Sequence, residues 1–438
     1  MFFKALLISI FSDVCKIQSL FPFLAAFMFQ KVMVLIPVIG LFTAPQLVSN
    51  ITKSLSSPRG KVLILLVAWM VLSVPFSIYP GQSFRFLTGN LWKLLVTFCI
   101  IIAYGFSKES LDKMIWSVIL AVAIFAIMAF INHSIGRFSL VAEYDPNENA
   151  LMFVLAFPFI FWKLMDSQGV KKILMASLFC LVIIGIIETK SRGGFIGLIA
   201  VVGVCIYQFR RYRKISIIKV ALIALLILGI FYFKGGSEYG ARIASIFDPA
   251  SDYNYSEEGG RLTIWKQGLT MMVSNPVLGI GVDAFVAGLG MLFRREEGPW
   301  QTAHNSFLQV GAELGFPGLI MYCFMIFSCM RNLRKAAAVQ VASKEKLNII
   351  TTTAYSLNGS WIGFLVSGSF LSAAYSNLFF ILLSFSFAFL NFAMSPAQSK
   401  EGEEALPSSQ SAANDVPRVG LTPSRPRRYD RNRRARYR

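Results

Sequence analysis

Charge is scarce in this chain: Asp, Glu, Lys and Arg make up 15% of its 438 residues, against roughly 25% in an ordinary soluble domain. Histidine is scarcer still, with His133 and His304 the only two. So few polar side chains exclude a solvated shell around one apolar core, and the 55% of hydrophobic residues shows what replaces it. Apolar runs of about 17 to 25 residues recur along most of the length, enough to cross a bilayer as helices with their backbone hydrogen bonds closed internally. The six cysteines, Cys15, Cys99, Cys180, Cys205, Cys323 and Cys329, all lie in or beside such runs, which speaks against a disulfide framework or a metal cluster. Missing too are an acidic pair at metal-ligand spacing, a Gly-x-Ser-x-Gly elbow and a His-Glu-x-x-His helix. "GIGVDAF", Gly279 to Phe285, holds a lone Gly-x-Gly without a third glycine or a βαβ context, which excludes a dinucleotide fingerprint. No metal and no cofactor are expected, and no internal repeat is visible.

What is abundant is arginine and lysine, 42 against 23 acidic residues. Position argues against nucleic acid. Residues 395–438 carry ten basic and five acidic residues, and much of the remaining excess sits in short linkers between apolar runs, where it reads as an orientation signal. Helices are predicted near 62–79, 91–105, 114–132, 148–165, 173–188, 194–209, 216–233, 305–330, 350–370 and 375–394, with about two more in residues 1–50, the first a retained N-terminal helix. The expected fold is therefore an all-α integral membrane protein of about twelve transmembrane helices. Residues 1–394 form the membrane domain, and 395–438 form a disordered basic cytoplasmic tail, solvated or lying against anionic lipid. The linkers holding Lys53 and Arg59, Lys108 and Lys113, Lys163 to Lys172, Arg210 to Lys214, and Arg331 to Lys346 are each two helices apart, which puts them on one side, the cytoplasm.

The opposite side receives one large loop, about 234–303, ahead of the helix that follows His304. In it, "RLTIWKQGLTMMV" sets Leu262, Trp265, Leu269 and Met272 on one helical stripe, to lie on the bilayer surface or pack on the bundle. Glu143 and Asp145 near Asn147 are weak cation candidates. The same side collects Arg85, Arg137, Arg192 and Arg261. Any one of these alone reads as a headgroup anchor; several at one rim beside a histidine suit a phosphate or pyrophosphate. In "SRGG" the glycines permit a tight turn and leave amides open near a helix start. Asn305 or Ser306 is placed to cap the histidine helix. Gly311 and Gly315 lie four apart on one face of it, Pro317 bends it, and Glu313, inside the membrane, reads as a packing or supporting residue.

These residues resemble the bacterial O-antigen ligase and polymerase superfamily, which includes protein O-oligosaccharyltransferases. The resemblance rests on His304 and Asn305 followed after nine residues by Gly315 to Gly318, on Arg192 in a short outer turn, and on "RLTIW" upstream of "NPVLGIGVDAF". It implies a metal-independent, inverting glycosyltransferase at the periplasmic face of the bacterial inner membrane. The donor it implies is a polyprenyl-pyrophosphate-linked glycan, and the acceptor is a hydroxyl of a glycan, glycolipid or protein. On that basis His304 is the expected base, and Arg192 and Arg261 the pyrophosphate clamps. Arg137 and Arg85 are weaker candidates for the same role, Asn305 contacts substrate, and Trp265 covers sugar or lipid. A repeat-unit polymerase and a multi-helix transporter or flippase are the alternatives.

Overall fold

The structure is a computed structural model that describes residues 1–131, 137–141, 144–212, 260–293, 301–342 and 349–393, with isolated positions 229, 240 and 243. The described residues contain helices and no strand. The N-terminal part holds α1 (Phe2–Cys15), the single turns α2 (Ile17–Leu20) and α3 (Phe23–Ala26), α4 (Phe29–Thr43), α5 (Pro45–Ser56) and α6 (Pro58–Ser73). A short α7 (Pro80–Phe86) runs through a π turn, Leu87–Leu91, into α8 (Trp92–Tyr104). Next come α9 (Lys108–Ile131), α10 (Pro146–Asp166), α11 (Gly169–Glu188) and α12 (Arg192–Tyr212). Then follow α13 (Arg261–Ser274), α14 (Phe285–Phe293), α15 (Ser306–Ala342), α16 (Ile349–Gly368) and α17 (Asn377–Ala393).

Six helical stretches are long and apolar enough to cross a membrane, or seven if the pair α4 and α5, bent by 99°, counts as one. The expected twelve spans are not reached among the described residues. Residues 1–56 break into short helices at Lys16, Met28 and Ala44, α6 stops at Ser73 and α17 has 17 residues, and the helix expected at 216–233 and the tail lie outside the described residues.

The central helix is α10, 78% of whose spanning window is buried against 33% for α12. It packs on α9, α11, α12 and α16. A capping box starts it: Asp145 Oδ1 accepts from Glu148 N at 2.7 Å and Glu148 Oε2 from Asp145 N at 3.0 Å, with Pro146 in the first helical position. That use of Asp145 accounts for one of the two residues weighed as cation ligands; Glu143 lies outside the described residues.

The helix α15 is continuous in path but broken in bonding. Gly315 has φ 67 and ψ −173, and Pro317 has no N–H to offer the carbonyl four residues back. The carbonyls so released are each met from outside: Ala312 O by Ile280 N at 2.9 Å, Glu313 O by Gly281 N at 2.9 Å, and Leu314 O by the Trp69 indole at 3.0 Å. Phe316 N donates to Pro276 O at 2.8 Å. The loop between α13 and α14 is thereby laid along the kink as a substitute hydrogen-bond partner. Its glycines allow the approach: a Cβ on Gly279 would sit 2.3 Å from the Glu313 backbone, and one on Gly315 2.4 Å from Val277 O. Gly315 is thus needed for its backbone conformation, not as half of a small-residue helix face. Gly311 does serve close packing, since its Cβ would fall 2.5 Å from Met272 Sδ of α13. Glu313, fully buried, accepts from Asp283 N at 3.0 Å and Phe285 N at 3.2 Å, capping α14. The stripe expected on α13 divides between the two placements, with Leu269 49% exposed and Met272 against Gly311, while the fully buried face is Ile264, Gly268 and Met271, which joins a small core with Ile280, Phe285, Ala303 and Ala312.

Candidate active site

At one end of the bundle a cavity of about 160 Å³ is lined by Arg137, Lys190, Arg192 and Arg261, together with Asn147 and Ser191 and the rim residue Phe370. Three separate pieces of chain bring these cations together. The helix α11 ends at Glu188, and the chain reverses through Lys190, a non-glycine residue at φ 49. Arg192 then becomes the first residue of α12, capped by Ser191 Oγ, which accepts from Gly194 N at 3.1 Å. Neither Gly193 nor Gly194 has positive φ. They are small because a Cβ on Gly193 would meet Phe370 at 3.0 Å and one on Gly194 would meet Ala150 at 2.5 Å. The turn expected of those glycines is thus made at Lys190, while they let α12 start against α10 and the 367–371 segment.

Arg137 is held by two bonds: its Nε donates to Thr189 O at 3.1 Å and its Nη2 to Asn147 Oδ1 at 2.8 Å. The same Asn147 oxygen accepts from Ser191 Oγ at 2.9 Å, so one amide ties Arg137 to the start of α12. Arg261 is the first residue of α13, after Gly260, which gives no side-chain cap. Two helix N-termini, each led by an arginine, therefore meet at one cavity, where partial positive charge from aligned peptides adds to the guanidinium charge.

His304 lies just before α15, in the left-handed region at φ 46, a conformation that non-glycine residues keep only where their surroundings enforce it. Here its N–H donates to Ser372 Oγ at 2.8 Å. Next to it, Ser306 Oγ donates to Leu371 O at 2.6 Å and accepts from Ala373 N at 3.0 Å. Asn305 Oδ1 accepts from Phe307 N and Leu308 N, both at 3.0 Å, and is the N-cap of α15. The imidazole Nδ1 is shielded from solvent and has no hydrogen-bond partner among the described residues. Burial, then the positive charge of Arg261, lower the His304 pKa to about 4, with Asp145 opposing them. The ring is neutral at physiological pH.

Trp265 supports this arrangement from behind. Its indole Nε1 donates to Ala303 O at 3.1 Å, and its ring lies 6.4 Å from that of Phe370. Arg85 is not brought to the cavity: it is exposed and donates to Gln82 Oε1 at 3.3 Å, while Gln82 donates to Asp283 Oδ2 at 2.7 Å. The sequence reading passed over Lys190, Asn147 as an arginine partner, and Ser372. Only Lys190, two positions before Arg192 in "TKSRGG", carried a signal in the chain itself. Among the described residues, no group of three or more His, Cys, Asp or Glu side chains comes together as a metal site.

Residues 175–323 match a family model described as O-antigen ligase, which supports membership of the O-antigen ligase and polymerase superfamily and a ligase- or polymerase-like glycosyltransferase role. The matched segment contains Lys190, Arg192, Arg261 and His304. No curated protein matches the chain.

Proposed function

We propose that this chain, whose residues 175–323 match a family model described as O-antigen ligase, transfers a glycan from a polyprenyl-pyrophosphate carrier to an acceptor hydroxyl, with the site on the periplasmic face of a bacterial inner membrane. The observation that carries the proposal is the convergence of Arg137, Lys190, Arg192 and Arg261 on one cavity, with His304 close enough to Arg261 for its proton affinity to feel that charge. A leaving pyrophosphate gathers negative charge as the glycosidic bond breaks, and fixed guanidinium groups stabilise it without reorganisation. Arg192 and Arg261 hold the two phosphates, Arg137 stiffens the wall, and Lys190 adds a point charge.

His304 takes the acceptor proton. Before donor binding it is a weak base, because burial and, after it, the charge of Arg261 oppose protonation. A bound pyrophosphate offsets that charge and moves the imidazole toward the range where a base works best at neutral pH. Donor binding thus arms the base, which limits water attack on the donor while the acceptor site is empty. Attack on the anomeric carbon from the side opposite the leaving group inverts its configuration, and no metal or cofactor takes part. Trp265 and Asn305 act by placing His304 rather than by covering the sugar, and Arg85 anchors lipid headgroups.

Purified protein in liposomes, given the lipid-linked glycan and one acceptor at a time, provides the test. The expected result is release of polyprenyl pyrophosphate coupled to glycan on the acceptor; a glycolipid product marks a ligase and a lengthened lipid-linked glycan a polymerase. Net movement of intact donor lipid across the bilayer without cleavage would assign a flippase instead.

A further inference from the structure

A second and larger cavity, about 840 Å³, opens at the same end of the bundle on another flank, between α4 and α8. Its wall is apolar, with Val34, Leu35 and Val38 on one side and Phe86, Leu94 and Val96 on the other. Leu35 and Trp92 are 56% and 51% exposed, and so are Val32 and Ile39 beside them on α4, at 42% and 47%. This flank therefore opens toward the bilayer. Two exposed lysines, Lys31 and Lys93, stand at the cavity with the amides of Asn90 and Asn377. The acidic residue of the lining, Asp13, is engaged by Lys16 at 3.1 Å and by Asn377 Nδ2 at 2.7 Å.

Asn90 lies in the π turn Leu87–Leu91, and Lys93 is the second residue after it. Single π turns within helices are rare and are frequently found at functional sites. The inner wall is formed by Tyr375, Ser376 and Asn377, the far part of the segment whose Ser372 holds His304 N. That segment is walled by the arginine cavity at Phe370 and Leu371 and by this groove at Tyr375 to Asn377.

We infer that this groove is a seat for an anionic membrane phospholipid, its phosphodiester held by Lys31 and Lys93 and its acyl chains lying along α4 and α8. Ammonium groups suit a single phosphodiester charge, whereas the arginine cavity has the forks that suit a pyrophosphate. Apolar wall and basic rim match an amphiphile whose head lies at the interface and whose tails lie below it. The occupant steadies the segment 372–377 from the membrane side. The inference stands apart from the transfer reaction, and its test needs no turnover.

The test compares wild type, Lys31→Gln/Lys93→Gln and a control pair at the other end of the bundle, Lys108→Gln/Lys113→Gln. Each is reconstituted in nanodiscs of phosphatidylcholine with and without phosphatidylglycerol. Lipid retained after detergent extraction is read by native mass spectrometry, and the unfolding midpoint is read in parallel. Wild type is expected to keep phosphatidylglycerol in preference and to gain thermal stability from it. The groove pair should lose about thirtyfold in retention, at about fivefold for each basic residue near an anionic lipid, while the control pair keeps it. Equal retention of the two lipids by wild type, or unchanged retention in the groove pair, overturns the inference. Displacement of the phospholipid from wild type by polyprenyl phosphate also overturns it, and gives the groove to the carrier chain.

Discussion

The two ends of the bundle arrange their cations differently. At one end several cations are tied to separate partners: Lys163 to Asp112, Lys163 and Lys171 over the Trp116 ring, and Arg59 to Asn391 Oδ1 at 3.0 Å and over the Phe387 ring. At the other end Arg137, Lys190, Arg192 and Arg261 face a common cavity. Cations spread over separate partners fasten helices and fix orientation. Cations gathered around one space are placed to meet a single anion together, and that arrangement suits binding. Charge at the first end should therefore matter to stability and charge at the second to substrate.

The largest effect that would sharpen this contrast is on the histidine between the cations and the acceptor. His304→Ala is expected to lower turnover by roughly 10² to 10⁴ with donor binding kept, since base assistance acts in the transition state. Next, Arg192→Ala and Arg261→Ala should each cost about 10² to 10³ in rate and weaken donor binding; lysine at either position restores charge without the fork and recovers only part. Neither change should shift the unfolding midpoint much, whereas Asp112→Ala at the opposite end should lower it and spare the rate. A third test is the acid limb. The lowered His304 pKa keeps the base neutral far below the usual imidazole range, so kcat/KM, which reports free protein, should hold until about pH 4. The limb in kcat should lie higher, because bound pyrophosphate offsets Arg261. Coincident limbs near pH 6.5 would remove the coupling between donor and base. The smallest effect is expected at Arg85→Ala, about twofold or less in rate, because its contact is with Gln82 outside the cavity.

Gly315→Ala probes the frame rather than the charges. At φ 67 and ψ −173, a region that is essentially glycine-only, an alanine costs about 1–3 kcal/mol from backbone strain alone, and its Cβ would strike Val277 O. The variant is expected to lose thermal stability and activity together.

Much of this was legible in the chain because a membrane sorts it. Register of basic linkers placed Arg137, Arg192, Arg261 and His304 at one end, and the structure gathers the three arginines at one cavity. The same register placed Arg85 there too, but a linker pattern tells only which end a residue occupies, not which flank, and α7 carries Arg85 to the Asp283 side. Pro317 announced a break in α15. Which segment would satisfy the freed carbonyls was not readable, because Ile280 and Gly281 meet them by tertiary contact some thirty residues away in sequence. Lys190 escaped notice for a related reason: its left-handed turn is imposed by α11 and α12, and lysine itself has no preference for it. The expected number of spans is not reached among the described residues because hydropathy measures apolar content and not continuity, and the first 56 residues fold as short helices.

The most direct test of the division between clamp and base is the affinity for a polyprenyl-pyrophosphate-linked glycan in the absence of acceptor, measured for wild type, Arg192→Ala, Arg261→Ala and His304→Ala. Weakening by about tenfold or more in both arginine variants, with His304→Ala equal to wild type, is the result expected. Affinity lost in His304→Ala and kept in both arginine variants would contradict the account.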